Sequence, residues 1–235
     1  MPEICSQHFA TLSHHSHFDR LVIYADGSSQ ARSRHIAPQL NEEVGIPDAW
    51  CFLVLGETYT SCNTSELSLI GWSSHQVRCD TDQDWYVGAD RIGSAITERE
   101  ALTWAMIWRI GQNSNIPTLF RSDSLLALQQ AKGDIGSICC DMSFQTLRGC
   151  AQLLEAALAP GDFILDHVPG HAGDPFNEFC DWGAKYEGRQ GFYLQRPKFC
   201  LTTWRPLIPY LWMLFDQKAG IPPFKGTGFA VDPPA

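Results

Sequence analysis

The sequence predicts an α/β fold, a mixed sheet of five strands whose first three run antiparallel, with helices packed on it. Three observations predict it. Short apolar runs close on turn residues or on an aspartate, the pattern of buried strands rather than surface ones. Segments with apolar residues at helical spacing follow them. The order is three strands in succession, then helix, strand, helix, helix, strand, helix, which is the order of a mixed sheet covered by helices.

Each element has its own signal. Leu21-Val22-Ile23-Tyr24-Ala25 is a continuous apolar run leading into Asp26-Gly27-Ser28, so the first strand closes in a turn and delivers a carboxylate at its end. Residues 29–48 contain Arg32, Arg34, Pro38, Gly45 and Pro47 without periodicity and read as an insertion or loop. Segments 50–55 and 67–77 are rich in β-formers and are separated by turn residues, predicting two antiparallel strands. The spacing predicts a helix over 97–110 with Thr97 as its N-cap. Thr118-Leu119-Phe120 leads through Arg121-Ser122 to Asp123, a second apolar strand ending in an acid, and 124–131 is again helical. A helix over 142–159 stops at Gly161, a strand follows over 163–168, and a last helix over 175–186 has Asp174 as N-cap with Pro175 at its first position.

Bulk properties narrow the function. The formal charge of −9 over 235 residues excludes a protein that grips nucleic acid by its overall field, because phosphate binding relies on Lys and Arg contacts that release counterions. The nine cysteines form no C-x-x-C pair, so spacing indicates neither a zinc site nor a disulfide framework, and reduced thiols in an intracellular setting are expected. The longest apolar run, near 207–215, is broken by Pro209 and too short to span a bilayer, so no membrane role is expected. Residues 1–19 are polar, include His14, His15 and His17, and are expected to be a disordered tail.

The chemistry is carried by acids in combination. Gly170-His171-Ala172-Gly173-Asp174-Pro175-Phe176-Asn177-Glu178-Phe179-Cys180-Asp181 sets a histidine in a glycine-flanked loop and an aspartate ten residues later, inside a helix. This run resembles the G-H-A-G-x-P-x-N-E-x-x-D signature of type 1 ribonuclease H. Tyr24-Ala25-Asp26-Gly27-Ser28, the acidic helix start Thr97-Glu98-Arg99-Glu100, and Arg121-Ser122-Asp123-Ser124 resemble the other marks of that family, in its order. The resemblance covers about residues 20–189, and residues 190–235 form a C-terminal extension rich in proline and aromatics.

The resemblance implies a ribonuclease-H-like fold with helices on both faces of the sheet. It implies an endonuclease that hydrolyses the RNA strand of RNA/DNA hybrids, leaving 3′-hydroxyl and 5′-phosphate ends. Asp26, Glu98, Asp123 and Asp181 would hold two Mg²⁺ ions, with Mn²⁺ able to substitute, and His171 would assist proton transfer or product departure. Convergent carboxylates repel one another unless cations occupy them, and hard oxygen ligands suit Mg²⁺ or Mn²⁺. Two such ions about 3.5–4 Å apart can stabilise the attacking and leaving oxygens of an in-line displacement.

Glu98 and Glu100 lie on nearly opposite faces of their helix, so only one of them can enter the site. Glu98 shares its face with Ala101, Leu102 and Ala105, whose small side chains allow a close approach to the sheet, and is the preferred choice. Glu100 would then be an ordinary first-turn acid. Glu178 is read as an acceptor tying the helix to its loop. Substrate contacts are expected at Gly27, Ser28, Ser29, Ser124 and Arg32. Ser94 and Ala95 stand where the family has asparagines, and 133–149 has Arg148 as its basic residue, so the grip on substrate differs from the family's. The extension is a candidate surface for a reverse transcriptase or other protein partner, as in a retroelement. Two other readings stay open: a ribonuclease-H-like module that binds hybrids or proteins with little or no turnover, and a DNA-cutting nuclease of the same broad fold.

Overall fold

The computed structural model describes residues 17–29, 47–60, 64–83, 85–91, 93–112, 114–136 and 141–188. Most of the N-terminal tail and of the 29–48 insertion, Arg32 included, and the extension lie outside the described residues.

Nine elements follow in chain order: β1 (Arg20–Ser28), β2 (Ala49–Tyr59), β3 (Ser65–Gln76), α1 (Ser94–Gly111), β4 (Thr118–Ser122), α2 (Leu125–Lys132), α3 (Met142–Ala157), β5 (Phe163–His167) and α4 (Pro175–Gly188). The five strands form one sheet in the order β3-β2-β1-β4-β5. β1, β2 and β3 pair antiparallel, while β4 runs parallel to both β1 and β5. The fold is ribonuclease-H-like, as this strand order and the helices on the two faces define it.

Strand alternation explains why β1 and β2 read as unbroken apolar runs. Leu21, Ile23 and Ala25 of β1 and Trp50, Phe52 and Val54 of β2 join the core beneath α1, α2 and α3. Val22 and Tyr24, with Cys51, Leu53 and Leu55, join the core on the other face beneath α4. Both faces are covered, so neither set can be polar. Asp26 continues the even-numbered set and therefore points to the α4 side of the sheet.

Buried polar ties fix the helices against the sheet. Arg109 of α1 is 2% exposed and donates to Thr118 Oγ1 (2.7 Å) and to the carbonyls of Ser114 and Ile116 (both 2.8 Å), clamping the helix end to the start of β4. Arg99 pairs with Asp141 at 2.7 Å, joining α1 to the N-cap of α3. Buried pairs of this kind are costly to break from one side, because the survivor is left charged and unpaired.

Two local expectations change. β1 runs on to Ser28, with Asp26, Gly27 and Ser28 opposite Cys51, Trp50 and Ala49, so the acid lies within the strand rather than in a turn after it. α1 begins at Ser94 with Gly93 as N-cap; Thr97 is inside the first turn, its hydroxyl donating to the Ser94 carbonyl at 2.8 Å. A threonine hydroxyl satisfies a carbonyl within a helix as readily as it caps one, so the residue type could not distinguish the two. α4 begins as expected, Asp174 accepting from Phe176 and Asn177 N–H at 3.0 and 3.3 Å, while α2 starts one residue later than expected, with Ser124 as its N-cap accepting from Ala127 N–H.

Candidate active site

The parallel strands β1 and β4 place Asp26 and Asp123 side by side at their carboxyl ends, where open α/β sheets present their ligand sites. Glu98 joins them from α1. One oxygen from each of Asp26, Glu98 and Asp123 lies within 4.8 Å of the others.

Gly27 makes that approach possible. A Cβ there would stand 2.3 Å from the Thr97 carbonyl carbon and 2.5 Å from the Glu98 nitrogen, both backbone atoms of α1. The absent side chain lets the first turn of the helix rest on the strand, and Gly27 N–H donates to Glu98 Oε2 at 3.2 Å. Gly170 plays the same part for Asp123: a Cβ at Gly170 would meet Asp123 Oδ2 at 2.5 Å. The glycines of the two motifs thus serve packing around the acids.

The acids are held in an environment hostile to their charge. Asp26 is 3% exposed, and burial, with Glu98, Asp123 and Asp181 adding repulsion, holds its carboxyl well above the usual range. Burial pushes Glu98 up to about 8, Asp123 and Asp181 adding to the rise while the Gly27 N–H and a hydrogen bond shared with Asp26 oppose it. Asp123 is raised by burial and by Asp181, against a 3.5 Å hydrogen bond from Asn177 Nδ2. A carboxylate cluster this close and this dry favours protons or a multivalent cation.

α4 supplies the other side. Asp181 carries an ion pair with Lys185 one turn on, Nζ to Oδ2 2.5 Å. His171, Glu178 and Asp181 form a second group with ligand atoms within 4.8 Å of one another, His171 Nδ1 lying 4.0 Å from Glu178 Oε1. His171 is 70% exposed and has a left-handed backbone, φ 55°, between Gly170 and the left-handed Gly173. The Glu178 carboxylate accepts from Gly173 N–H, which ties helix to loop. The loop and helix are braced from behind. Tyr24 OH donates to Asp174 Oδ2 at 3.2 Å, and Arg121 donates to Tyr24 OH and Asp166 Oδ2, both at 3.0 Å.

Glu100 lies apart from this group. It is fully buried on the opposite face of α1 beside Trp104, with neither oxygen in a hydrogen bond of good geometry. Burial pushes it up to about 8, the nearby Trp104 indole and Arg99 attenuating the rise. It is therefore a core carboxyl and not the solvated first-turn acid expected. Gly27 and Ser28 end β1 beside the acids, Ser29 follows them, and the Ser124 hydroxyl caps α2. Sequence reasoning passed over Asn177 and Lys185. Their signal was the spacing 174, 177, 178, 181, 185, which places all five along one side of α4.

Sheet order, helix placement and the carboxylates at the ends of the central strands define a ribonuclease-H-like domain with a candidate site for hard divalent cations. No family model matches the chain, and no curated protein matches it. Among solved structures it is similar to ribonuclease H1 of the halophilic archaeon Halobacterium salinarum, at 18% identity, covering 73% of this chain and 98% of that one with a TM-score of 0.46. It is also similar to LC11 ribonuclease H1 in complex with an RNA/DNA hybrid (14%, 74% and 99%, 0.45). A third is the foamy viral protease-reverse transcriptase in complex with double-stranded DNA (12%, 73% and 94%, 0.41).

The donor set fits divalent ions of the magnesium class. It offers carboxylate oxygens without thiols, and their raised pKa values mark charge that lacks compensation.

Proposed function

We propose that residues 20–189 form an endonuclease that hydrolyses the RNA strand of RNA/DNA hybrids with Mg²⁺ or Mn²⁺, leaving 3′-hydroxyl and 5′-phosphate ends. The observation that carries the reading is the convergence of Asp26, Glu98 and Asp123 within 4.8 Å, with Asp181 close enough to raise all three. Asp26, Glu98 and Asp123 would hold one ion, and Asp26 with Asp181 a second. When bound, such ions activate water and neutralise charge developing on phosphate oxygens.

The chain's own residues do the rest. The Gly27 N–H and the Asn177 amide orient Glu98 and Asp123, so those carboxylates need little reorganisation. His171 stands at the mouth on a left-handed residue, exposed enough to reach a departing group and to exchange protons with solvent. Gly27, Ser28 and Ser29 provide narrow backbone and hydroxyl groups suited to the 2′-hydroxyls of a wide minor groove, and Arg32 and Ser124 would complete the contacts. A chain of charge −9 gains little from counterion release, so its binding is modest and gains from a partner domain such as a reverse transcriptase.

The test compares labelled RNA/DNA hybrid, double-stranded RNA and double-stranded DNA with Mg²⁺, Mn²⁺ or chelator. Cleavage confined to the RNA of the hybrid, and to reactions with metal, is expected. Intact hybrid with both metals refutes it.

A further inference from the structure

We propose that Lys185 is a built-in counter-cation of the carboxylate centre, holding Asp181 in the absence of metal and leaving it when a divalent ion binds there. The inference rests on the metal-site reading given above and adds a residue that sets how much cation the site needs.

Positions 181 and 185 are one helical turn apart on α4, so their side chains share a face. Lys185 Nζ lies 2.5 Å from Asp181 Oδ2, the Asp181 side chain being 15% exposed and that of Lys185 34%. Its positive charge also extends beyond that partner, favouring ionisation of both Asp26 and Glu178. One ammonium therefore offsets part of the repulsion among acids from β1 and α4.

That position is incompatible with a metal ion on the same oxygen. Hard divalent ions bind carboxylate oxygens at about 2.0–2.6 Å, which would set three positive charges almost in contact in a poorly solvated recess. The ammonium must swing out, which its flexible stem and one-third exposure permit. Ion binding at Asp181 is thus an exchange of a monovalent for a divalent cation, and its affinity is reduced by the pairing it displaces.

The experiment is calorimetric titration of the full chain with MnCl₂, which reads binding without turnover. Lys185→Met should tighten the Mn²⁺ dissociation constant by roughly 2- to 5-fold, since exposed to half-buried pairs are worth up to about a factor of five. Lys185→Arg, which keeps the charge, should stay near the unaltered protein. Lys132→Met, on the exposed end of α2, controls for net charge and should change nothing. With chelator, Lys185→Met should melt below the unaltered chain, and saturating Mn²⁺ should close that gap. Equal dissociation constants for Lys185→Met and the unaltered chain overturn the inference, as does an equal gain in Lys132→Met. If Asp26→Asn abolishes binding while Lys185→Met is neutral, the inference fails and the metal site stands. If the unaltered chain binds no Mn²⁺, both fail.

Discussion

Replacing Gly27 by alanine should separate the helix that carries Glu98 from the strand that carries Asp26. The added Cβ would lie 2.3 Å from the Thr97 carbonyl carbon, 2.5 Å from the Glu98 nitrogen and 2.6 Å from the Thr97 oxygen. Carbon contacts are comfortable at about 3.5–4 Å, so the first turn of α1 has to retreat by roughly 1 Å or more. All three obstructing atoms are backbone, and no rotamer change can relieve them. Overpacking of this kind costs about 1–3 kcal/mol, and loss of the 3.2 Å bond from Gly27 N–H to Glu98 adds about 1 kcal/mol. A total of about 2–4 kcal/mol lowers the melting temperature of a domain this size by roughly 5–15 °C. The assay is thermal unfolding in chelator with parallel Mn²⁺ titration, in which affinity should fall at least tenfold as Glu98 withdraws. A variant that melts within 2 °C of the unaltered chain and binds Mn²⁺ equally would refute the reasoning.

Glu100 gives a pH signature. Its carboxyl is raised from 4.5 to about 8, so the folded state holds the proton more tightly than the unfolded one. The stabilisation is therefore full below about pH 4.5 and is lost as pH rises through about 8. Each tenfold change in acidity is worth about 1.4 kcal/mol, bounding the loss at ~5 kcal/mol. Glu100→Gln should flatten that decline in urea unfolding between pH 5 and 8.5; an unchanged slope contradicts the buried carboxyl's role. Asp26→Asn should abolish Mn²⁺ stabilisation yet raise stability in chelator at pH 8 by on the order of 1–3 kcal/mol, because a buried repelling charge is removed. Lower stability in chelator would show that the acids are not mutually repelling. His171→Ala should reduce turnover of hybrid by about 10²-fold or more while leaving the Mn²⁺ dissociation constant within threefold; loss of Mn²⁺ binding instead would make the histidine a ligand.

The sheet was legible because its central strands are covered on both faces, which leaves β1 and β2 as uninterrupted apolar runs. The helices were legible from periodicity, and the cap at Asp174 from residue type, whereas Ser124 was read as the first residue of its helix and is its N-cap. The start of α1 was not, since Ser94 and Ala95 carry no cap and Thr97 mimics one. Asp26, Asp123 and Asp181 could be picked out because each closes a motif, and the choice of Glu98 followed from the small residues on its helix face. What periodicity could not give was the fate of the opposite face. Glu100 looks like a surface acid in sequence, and its burial beside Trp104 depends on how residues of β2 and the segment after β3 fold over α1. The Arg121–Tyr24–Asp174 brace joins β4, β1 and α4, residues too far apart in sequence for spacing to disclose. Among the described residues no helix is long and apolar enough to cross a membrane, and the apolar run near 207–215 lies outside them.

The central claim is that the acids gathered at the ends of β1 and β4 hold divalent cations for phosphodiester hydrolysis. The most direct measurement is single-turnover cleavage of end-labelled RNA/DNA hybrid in saturating Mn²⁺ by the unaltered chain, Glu98→Gln and Glu100→Gln. RNA cleavage by the unaltered chain, loss by about 10²-fold or more in Glu98→Gln, and near-normal cleavage in Glu100→Gln are expected. Intact hybrid with the unaltered chain, or Glu98→Gln cutting as fast as it does, would contradict it.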